Sequence, residues 1–118
     1  MIVGLGVDVV DLARFERAVS RTPRLRERLF AESERMLPLR SLAGRFAAKE
    51  ALVKALGDAE DVHWVDMRIA SDATGNPSFA VEGALAALLE RRGIDALHVS
   101  MSHDAGVAVA TVVAERLP

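Results

Sequence analysis

The sequence predicts an α+β domain: a small antiparallel sheet packed with helices, one of them long and central. Three observations predict it. Residues 2–10 alternate as a strand does, two further alternating runs occupy 96–102 and 107–114, and an alanine- and leucine-rich segment free of proline fills 41–56. The 118 residues make one domain, 1–118, with no internal repeat, linker or low-complexity tract.

In the first run Val3, Leu5, Val7 and Val9 point one way and Ile2, Gly4, Gly6, Asp8 and Val10 the other. Aspartate is depleted in strands and costly to bury alone. Asp8 shares its face with two glycines, which are expected to leave open space beside the carboxylate. Asp8 could begin a turn or cap the next helix, but Asp11 is better placed before Leu12-Ala13-Arg14-Phe15, which frees Asp8. The first helix runs over 12–21 and ends at Thr22-Pro23. Short helical turns are expected at 24–30 and 31–37, stopped by Pro38. After the central helix and the polar connection 58–63, residues 64–70 alternate as a strand, with Val65, Met67 and Ile69 against Asp66 and Arg68. Asp72-Ala73-Thr74-Gly75-Asn76-Pro77 is a turn, 78–81 a short returning strand, and 81–92 a helix closed by Gly93.

The central helix carries the most chemistry. Phe46, Glu50 and Lys54 fall one above another on a helical repeat, flanked by Ala43 and Ala47. Of the 15 basic residues only Lys49 and Lys54 are lysines, and both lie here. On spacing alone the plainer reading is a solvated i,i+4 Glu–Lys pair worth about 0.3–0.5 kcal/mol. In the strand 96–102 and its continuation, His98, Ser100, Ser102 and Asp104 share one face, Val99, Met101 and His103 the other. Serines with small neighbours let a phosphate approach closely, whereas a histidine beside Val99 and Met101 is as readily structural. His63 and His98 have no surrounding constellation.

Totals exclude several classes. There are no cysteines, hence no disulfides or thiolate metal sites, which fits a reducing cytoplasm. No apolar run approaches the ~18–20 residues of a membrane span, and no positively charged leader is seen. A net charge of −2 argues against general nucleic-acid binding. Hydrophobic residues make up 51% and mean hydropathy is +0.20, leaving room for a buried subunit interface, although alanine explains part of it. Between Arg14 and Arg28 six arginines stand against Glu16 and Glu27, and Arg14, Arg17 and Arg21 share a helical face. An acidic protein surface or phosphates would be drawn there; a solvated arginine-rich helix is the plainer reading.

Three segments carry a family resemblance: Gly6-Val7-Asp8-Val9-Val10 with Arg14; Arg45-Phe46-Ala47-Ala48-Lys49-Glu50-Ala51 with Lys54, Ala55 and Gly57; and His98-Val99-Ser100-Met101-Ser102-His103. In this order and spacing the chain resembles the bacterial holo-acyl-carrier-protein synthases, which are 4′-phosphopantetheinyl transferases. Leu29-Phe30-Ala31 with Glu34, and Asp72 with Gly75 and Pro77, extend the likeness to almost the whole chain.

The resemblance implies a 4′-phosphopantetheinyl transferase-like fold and a homotrimer with sites at subunit boundaries. It implies transfer of the phosphopantetheine arm of coenzyme A to a serine of apo acyl carrier protein in the cytoplasm, releasing adenosine 3′,5′-bisphosphate, with fatty-acid synthesis and polyketide assembly both open as the carrier's pathway. Asp8 and Glu50 match the magnesium ligands, a site that manganese is also expected to fill. Lys54 matches a lysine near the reacting phosphate, and Glu50, Lys54 and Asp104 are the catalytic candidates. Arg45, Lys49, Ser102 and His103 are expected to contact coenzyme A, and Arg14, with Arg17 and Arg21, to dock the carrier. Between Glu34 and Arg45 the chain is several residues shorter than many relatives, with Pro38 in the gap. No nucleic-acid or membrane partner is implied.

The residues suit this chemistry. Magnesium takes oxygen ligands and keeps several waters, so two carboxylates and a diphosphate suffice. Lys54 can neutralise charge on the reacting phosphate. For the serine proton, Glu50 or Asp104 through a water, or an unprotonated Lys54, remain open, with neighbouring cations favouring the lysine. Two other readings use the same residues. A magnesium-dependent diphosphate hydrolase would use water as nucleophile. A small oligomeric binding module would dock an acidic protein on its basic helix.

Overall fold

A computed structural model describes all residues, 1–118. In chain order the elements are β1 (Ile2–Asp11), α1 (Leu12–Arg21), α2 (Leu25–Leu29), α3 (Leu39–Leu56), β2 (Ile69–Ser71), β3 (Pro77–Phe79), α4 (Gly83–Arg92), β4 (Ala96–Asp104) and β5 (Val107–Glu115). The main sheet is antiparallel with strand order β1-β5-β4, and β2 and β3 form a separate hairpin. The α+β expectation holds, with α3 lying across one face of the sheet against β1 and β5.

That face is built from small residues. Ala108, Ala110, Val112 and Ala114 of β5 are buried beneath α3, which brings Ala47, Ala48, Ala51 and Ala55 to the contact. On β1 the helix-facing positions are Gly4, Gly6, Asp8 and Val10. The glycines do not leave open space beside Asp8, as their place in the strand suggested. The helix backbone fills it: a Cβ on Gly6 would overlap the Ala51 carbonyl oxygen, and one on Gly4 the Ala55 carbonyl oxygen. Glycine is needed here for close approach of two backbones, since neither residue has an unusual φ.

The opposite face is where the large β1 side chains go. Leu5, Val7 and Val9 are 67%, 53% and 59% exposed. The register sets them in rows with β5 and β4, so that Val9 leads to Val109 and Ser102, and Val7 to Thr111 and Ser100. An apolar surface over two strands, hemmed by serines on the third, is thus left uncovered by the chain itself.

Beyond α3 the core is closed by α1, α2, α4 and the loops. Phe15 packs edge-on to Phe30 at 6.2 Å and stacks on Phe46 at 5.8 Å, and Phe46 meets Trp64 at 5.7 Å. Asp11 caps α1 by accepting from the Arg14 N–H at 2.9 Å, leaving Asp8 free as expected, and Gly93 ends α4 in the left-handed region.

Two further expectations change. Residues 64–70 are not one strand: Trp64–Asp66 form a 3₁₀ turn, and only Ile69–Ser71 pair. Asp66 accepts from the His63 N–H at 2.9 Å and so draws the chain into a turn, while Met67 and Ile69 are buried at its exit. Residues 31–37 form consecutive turns, as the short helical turn expected there requires, and Glu34 turns inward to accept from the Ala31 N–H at 3.0 Å. The central helix begins at Leu39, directly after Pro38, two residues earlier than the sequence suggested.

Candidate active site

Asp8 stands on β1 one row beyond the Gly4–Gly6 seam, and Glu50 stands on α3 beside that seam. The close backbone approach therefore delivers both carboxylates to one cleft of about 460 Å³, whose lining includes Asp8, Val10, Arg14, Phe15, Phe46 and Glu50. Burial, reinforced by the charge of Asp8 and opposed by Lys54, raises the Glu50 pKa above the ordinary carboxylate value. The Glu50 carboxylate has no ion-pair or hydrogen-bonding partner in the chain. The solvated Glu50–Lys54 pair is not formed. Lys54 instead crosses to β1, where its ammonium donates to Asp8 Oδ1 at 2.9 Å and to the Val7 carbonyl at 3.1 Å.

The donor set fits a hard divalent ion. Two carboxylates from different elements line one open cleft, and the unpartnered one is disfavoured as an anion by burial first and by the charge of Asp8 second. A divalent cation relieves that repulsion and takes oxygen ligands. A larger groove of about 630 Å³ lies elsewhere, between Glu32, Asp66, Arg68 and Glu82. It holds none of the expected residues, and its Arg68 is already paired with Glu82 at 3.1 Å.

Arg14 is brought to the mouth of the cleft, whereas Arg17 and Arg21 lie on the open side of α1 with Glu16 and Ser20. The other expected residues stand outside the cleft within one chain. Asp104 is exposed at the β4–β5 turn, where its Oδ1 accepts from the Ala105 N–H at 2.9 Å. Ser102 lies on the outer sheet face, while His103, pointing the other way, packs on α3 and reaches the Arg40 carbonyl with Nε2 at 2.9 Å. Arg45 is turned toward the β2–β3 hairpin. It donates to Ser71 Oγ at 3.3 Å, and its Nε, 3.6 Å from Glu34, has no hydrogen-bonding partner. The adjoining turn is built on Asp72, which accepts from the Thr74 hydroxyl and the Thr74 and Asn76 N–H groups and is thereby held at about 2.

Lys49 requires a correction. It is fully buried, and its ammonium donates to Glu34 Oε1 at 2.7 Å, the Leu29 carbonyl at 2.7 Å and the Trp64 carbonyl at 3.1 Å, with the Phe30 ring 4.9 Å away. All three donors are spent inside the protein, so Lys49 cannot contact coenzyme A. Burial lowers its pKa, opposed by Glu34. Glu34 in turn accepts from the Ile69 N–H at 3.1 Å, tying α3, the end of α2, the 31–37 turns and β2 to one buried ion pair. Sequence reading missed this hub. It also missed Gly44 as the place where His103 rests; a helical glycine with no capping role was the available signal.

Fold and cleft together define an α+β domain that presents a carboxylate pair and a lysine at an open cleft, and comparison with known proteins gives the class. A model of the 4′-phosphopantetheinyl transferase superfamily matches residues 4–112. The chain belongs to that superfamily and is an enzyme of the transferase class.

Within it, the similarity runs to one branch. The chain is 60% identical over 116 residues to the holo-[acyl-carrier-protein] synthase of Leifsonia xyli subsp. xyli, covering 98% of each chain. Among solved structures, the holo-[acyl-carrier-protein] synthase of Neisseria meningitidis aligns with a TM-score of 0.89 at 35% identity, over 98% of this chain and 100% of that one. The Helicobacter pylori holo-[acyl-carrier-protein] synthase, solved in complex with coenzyme A, aligns with a TM-score of 0.83 at 33% identity, over 94% of this chain and 99% of that one.

Proposed function

We propose that this chain transfers the 4′-phosphopantetheine moiety of coenzyme A to a serine of apo acyl carrier protein, giving holo acyl carrier protein and adenosine 3′,5′-bisphosphate. The observation that carries the reading is the meeting of Asp8 and Glu50 across β1 and α3, with Lys54 bound to the first and Glu50 left without a partner. Hydrolysis by water would use the same groups. The likeness to synthases, one of them solved with coenzyme A, favours a carrier serine as nucleophile.

In the proposed reaction the serine oxygen bonds to the phosphorus that bears pantetheine. The bond from that phosphorus to the bridging oxygen of the diphosphate breaks, and adenosine 3′,5′-bisphosphate leaves with the electron pair. The serine proton passes to water at the open mouth. Lys54 offsets charge on the phosphate oxygens. Asp8 and Glu50 would hold magnesium, or manganese in its place, which when bound supplies charge neutralisation at the diphosphate. Arg14 at the cleft mouth, with Arg17 and Arg21 further along α1, orients an acidic carrier so that its serine enters in line.

The same reading makes the active form a homotrimer. The uncovered apolar face of β1 and β5 supports self-association. The outward position of Ser102 and the separation of Arg45, His103 and Asp104 from the carboxylate pair favour a site completed by a neighbouring copy. No helix is long and apolar enough to cross a membrane. A cytoplasmic place and a role in fatty-acid synthesis belong to the proposal.

The test is mass spectrometry of a purified apo carrier after incubation with coenzyme A, magnesium and this protein. Addition of the phosphopantetheine arm to one serine, lost in Asp8→Asn, is the expected result. Release of nucleotide from coenzyme A without a carrier, and an unmodified carrier, would overturn the reading in favour of hydrolysis.

A further inference from the structure

His103 is held by contacts that the proposed reaction does not use. Its ring rests on α3 at Gly44: a Cβ at that position would stand 2.9 Å from Nε2 and 3.0 Å from Cε1, with Met101 Sδ 3.6 Å away. Glycine inside a helix is destabilising relative to alanine. No local need offsets that cost, because Gly44 is not among the glycines with positive φ and lies well inside Leu39–Leu56. The feature that requires a missing side chain is the imidazole itself.

The hydrogen bond adds a chemical constraint. Nε2 lies 2.9 Å from the Arg40 carbonyl oxygen. A carbonyl only accepts, so Nε2 carries a hydrogen whether the ring is neutral or charged. Nδ1 makes no hydrogen bond within the chain and is the one ring nitrogen left to meet another molecule. The register places His103 in the same row as Ala108 and Val10, on the helix side of the sheet, so the strand fixes its Cα while the helix fixes its ring.

We propose that Gly44 and the Arg40 carbonyl form a seat that locks His103 with Nε2–H committed to the protein and Nδ1 reserved for a polar atom of coenzyme A, which makes Gly44 a positioning residue for coenzyme binding. The inference rests on the reading that His103 lines the coenzyme A site. It goes beyond that reading by naming the atom that meets the coenzyme and the residue that aims it.

Two measurements test it on the intact protein. Nitrogen–proton correlation spectra of the His103 ring report its tautomer directly, and the expected neutral form is Nε2–H. Gly44→Ala should disturb that signal and raise the KM for coenzyme A about tenfold, the order that a lost hydrogen bond to a charged group is worth, leaving the KM for the carrier unchanged. In a His103→Ala background the same substitution should add nothing to either KM. There it should raise Tm, because alanine replaces glycine in a helix with no ring to displace. An Nδ1–H tautomer in the parent protein overturns the seat, as does a rise in KM from Gly44→Ala that persists without His103. If His103→Ala itself leaves the KM for coenzyme A unchanged, the coenzyme-lining reading fails. The ring spectrum and the Tm comparison still decide the seat separately, since neither depends on activity.

Discussion

Gly6→Ala perturbs the fold at the point that creates the site. The new Cβ would overlap the Ala51 carbonyl oxygen and lie 2.8 Å from the Ala55 nitrogen, where ordinary contact begins at 3.4 Å. The helix must therefore retreat by at least about 0.6 Å, the gap between those two distances. Overpacking of a well-filled core costs ~1–3 kcal/mol, and the upper end applies because two backbones meet and no rotamer offers escape. For a domain of this size each kcal/mol moves Tm by ~4 °C, so a fall of ~12 °C is expected. The same retreat carries Glu50 away from Asp8. A 1 Å misplacement can cost ~10²-fold in rate, so a shift of this size predicts at least ~10-fold loss of kcat. Thermal unfolding followed by circular dichroism gives the first quantity, and transfer to apo carrier at saturating coenzyme A the second. Because the obstruction is backbone, Ala51→Gly should not rescue the variant. Parent-like Tm and turnover in Gly6→Ala, or full rescue by Ala51→Gly, would refute the close-approach argument.

Three further outcomes follow from the same geometry. The raised Glu50 pKa means that the ionised form is disfavoured in the folded protein. In metal-free buffer, stability should therefore fall as pH rises from the ordinary carboxylate pKa through the raised one; Glu50→Gln should flatten that part of a Tm–pH curve, and magnesium should flatten it in the parent protein. Arg14→Glu should raise the KM for an acidic carrier and weaken its salt dependence while leaving the KM for coenzyme A nearly unchanged, measured at several ionic strengths; equal weakening toward both substrates would count against docking on α1. Lys49→Met should destabilise by about 3–5 kcal/mol in denaturant unfolding, since it strands the buried Glu34 carboxylate without its cation, and a loss below 1 kcal/mol would mean that the pair is not the hub described.

Much of this architecture was legible because it depends on local pattern. Alternation revealed β1, β4 and β5, the glycine at 93 marked the end of α4, and the rival cap Asp11 released Asp8 for chemistry. Helical spacing put Phe46 and Glu50 on one face, and both line the cleft. What was misread depends on partners distant in sequence. Lys49 is next to Glu50, but one residue turns the helix by about 100°, and its direction acquires meaning only from Glu34, 15 positions away. Val65, Met67 and Ile69 alternate with charges equally well in a 3₁₀ turn followed by three strand residues. The glycines of β1 looked like room for a carboxylate, when the repeat of alanines at 47, 51 and 55 was the sign that a helix would lie there. Lys54 could reach across or along its helix, and only the strand's position decides.

The outward valines and leucine of β1 have a consequence for anyone who handles this protein at low concentration. Water meets that strand whenever a chain is alone, and a self-associating species is held together by mass action. Under the trimer reading, specific activity should decline on dilution even when each molecule keeps its helices and strands. A kinetic constant would then have little meaning unless the amount of protein in the cuvette is stated beside it.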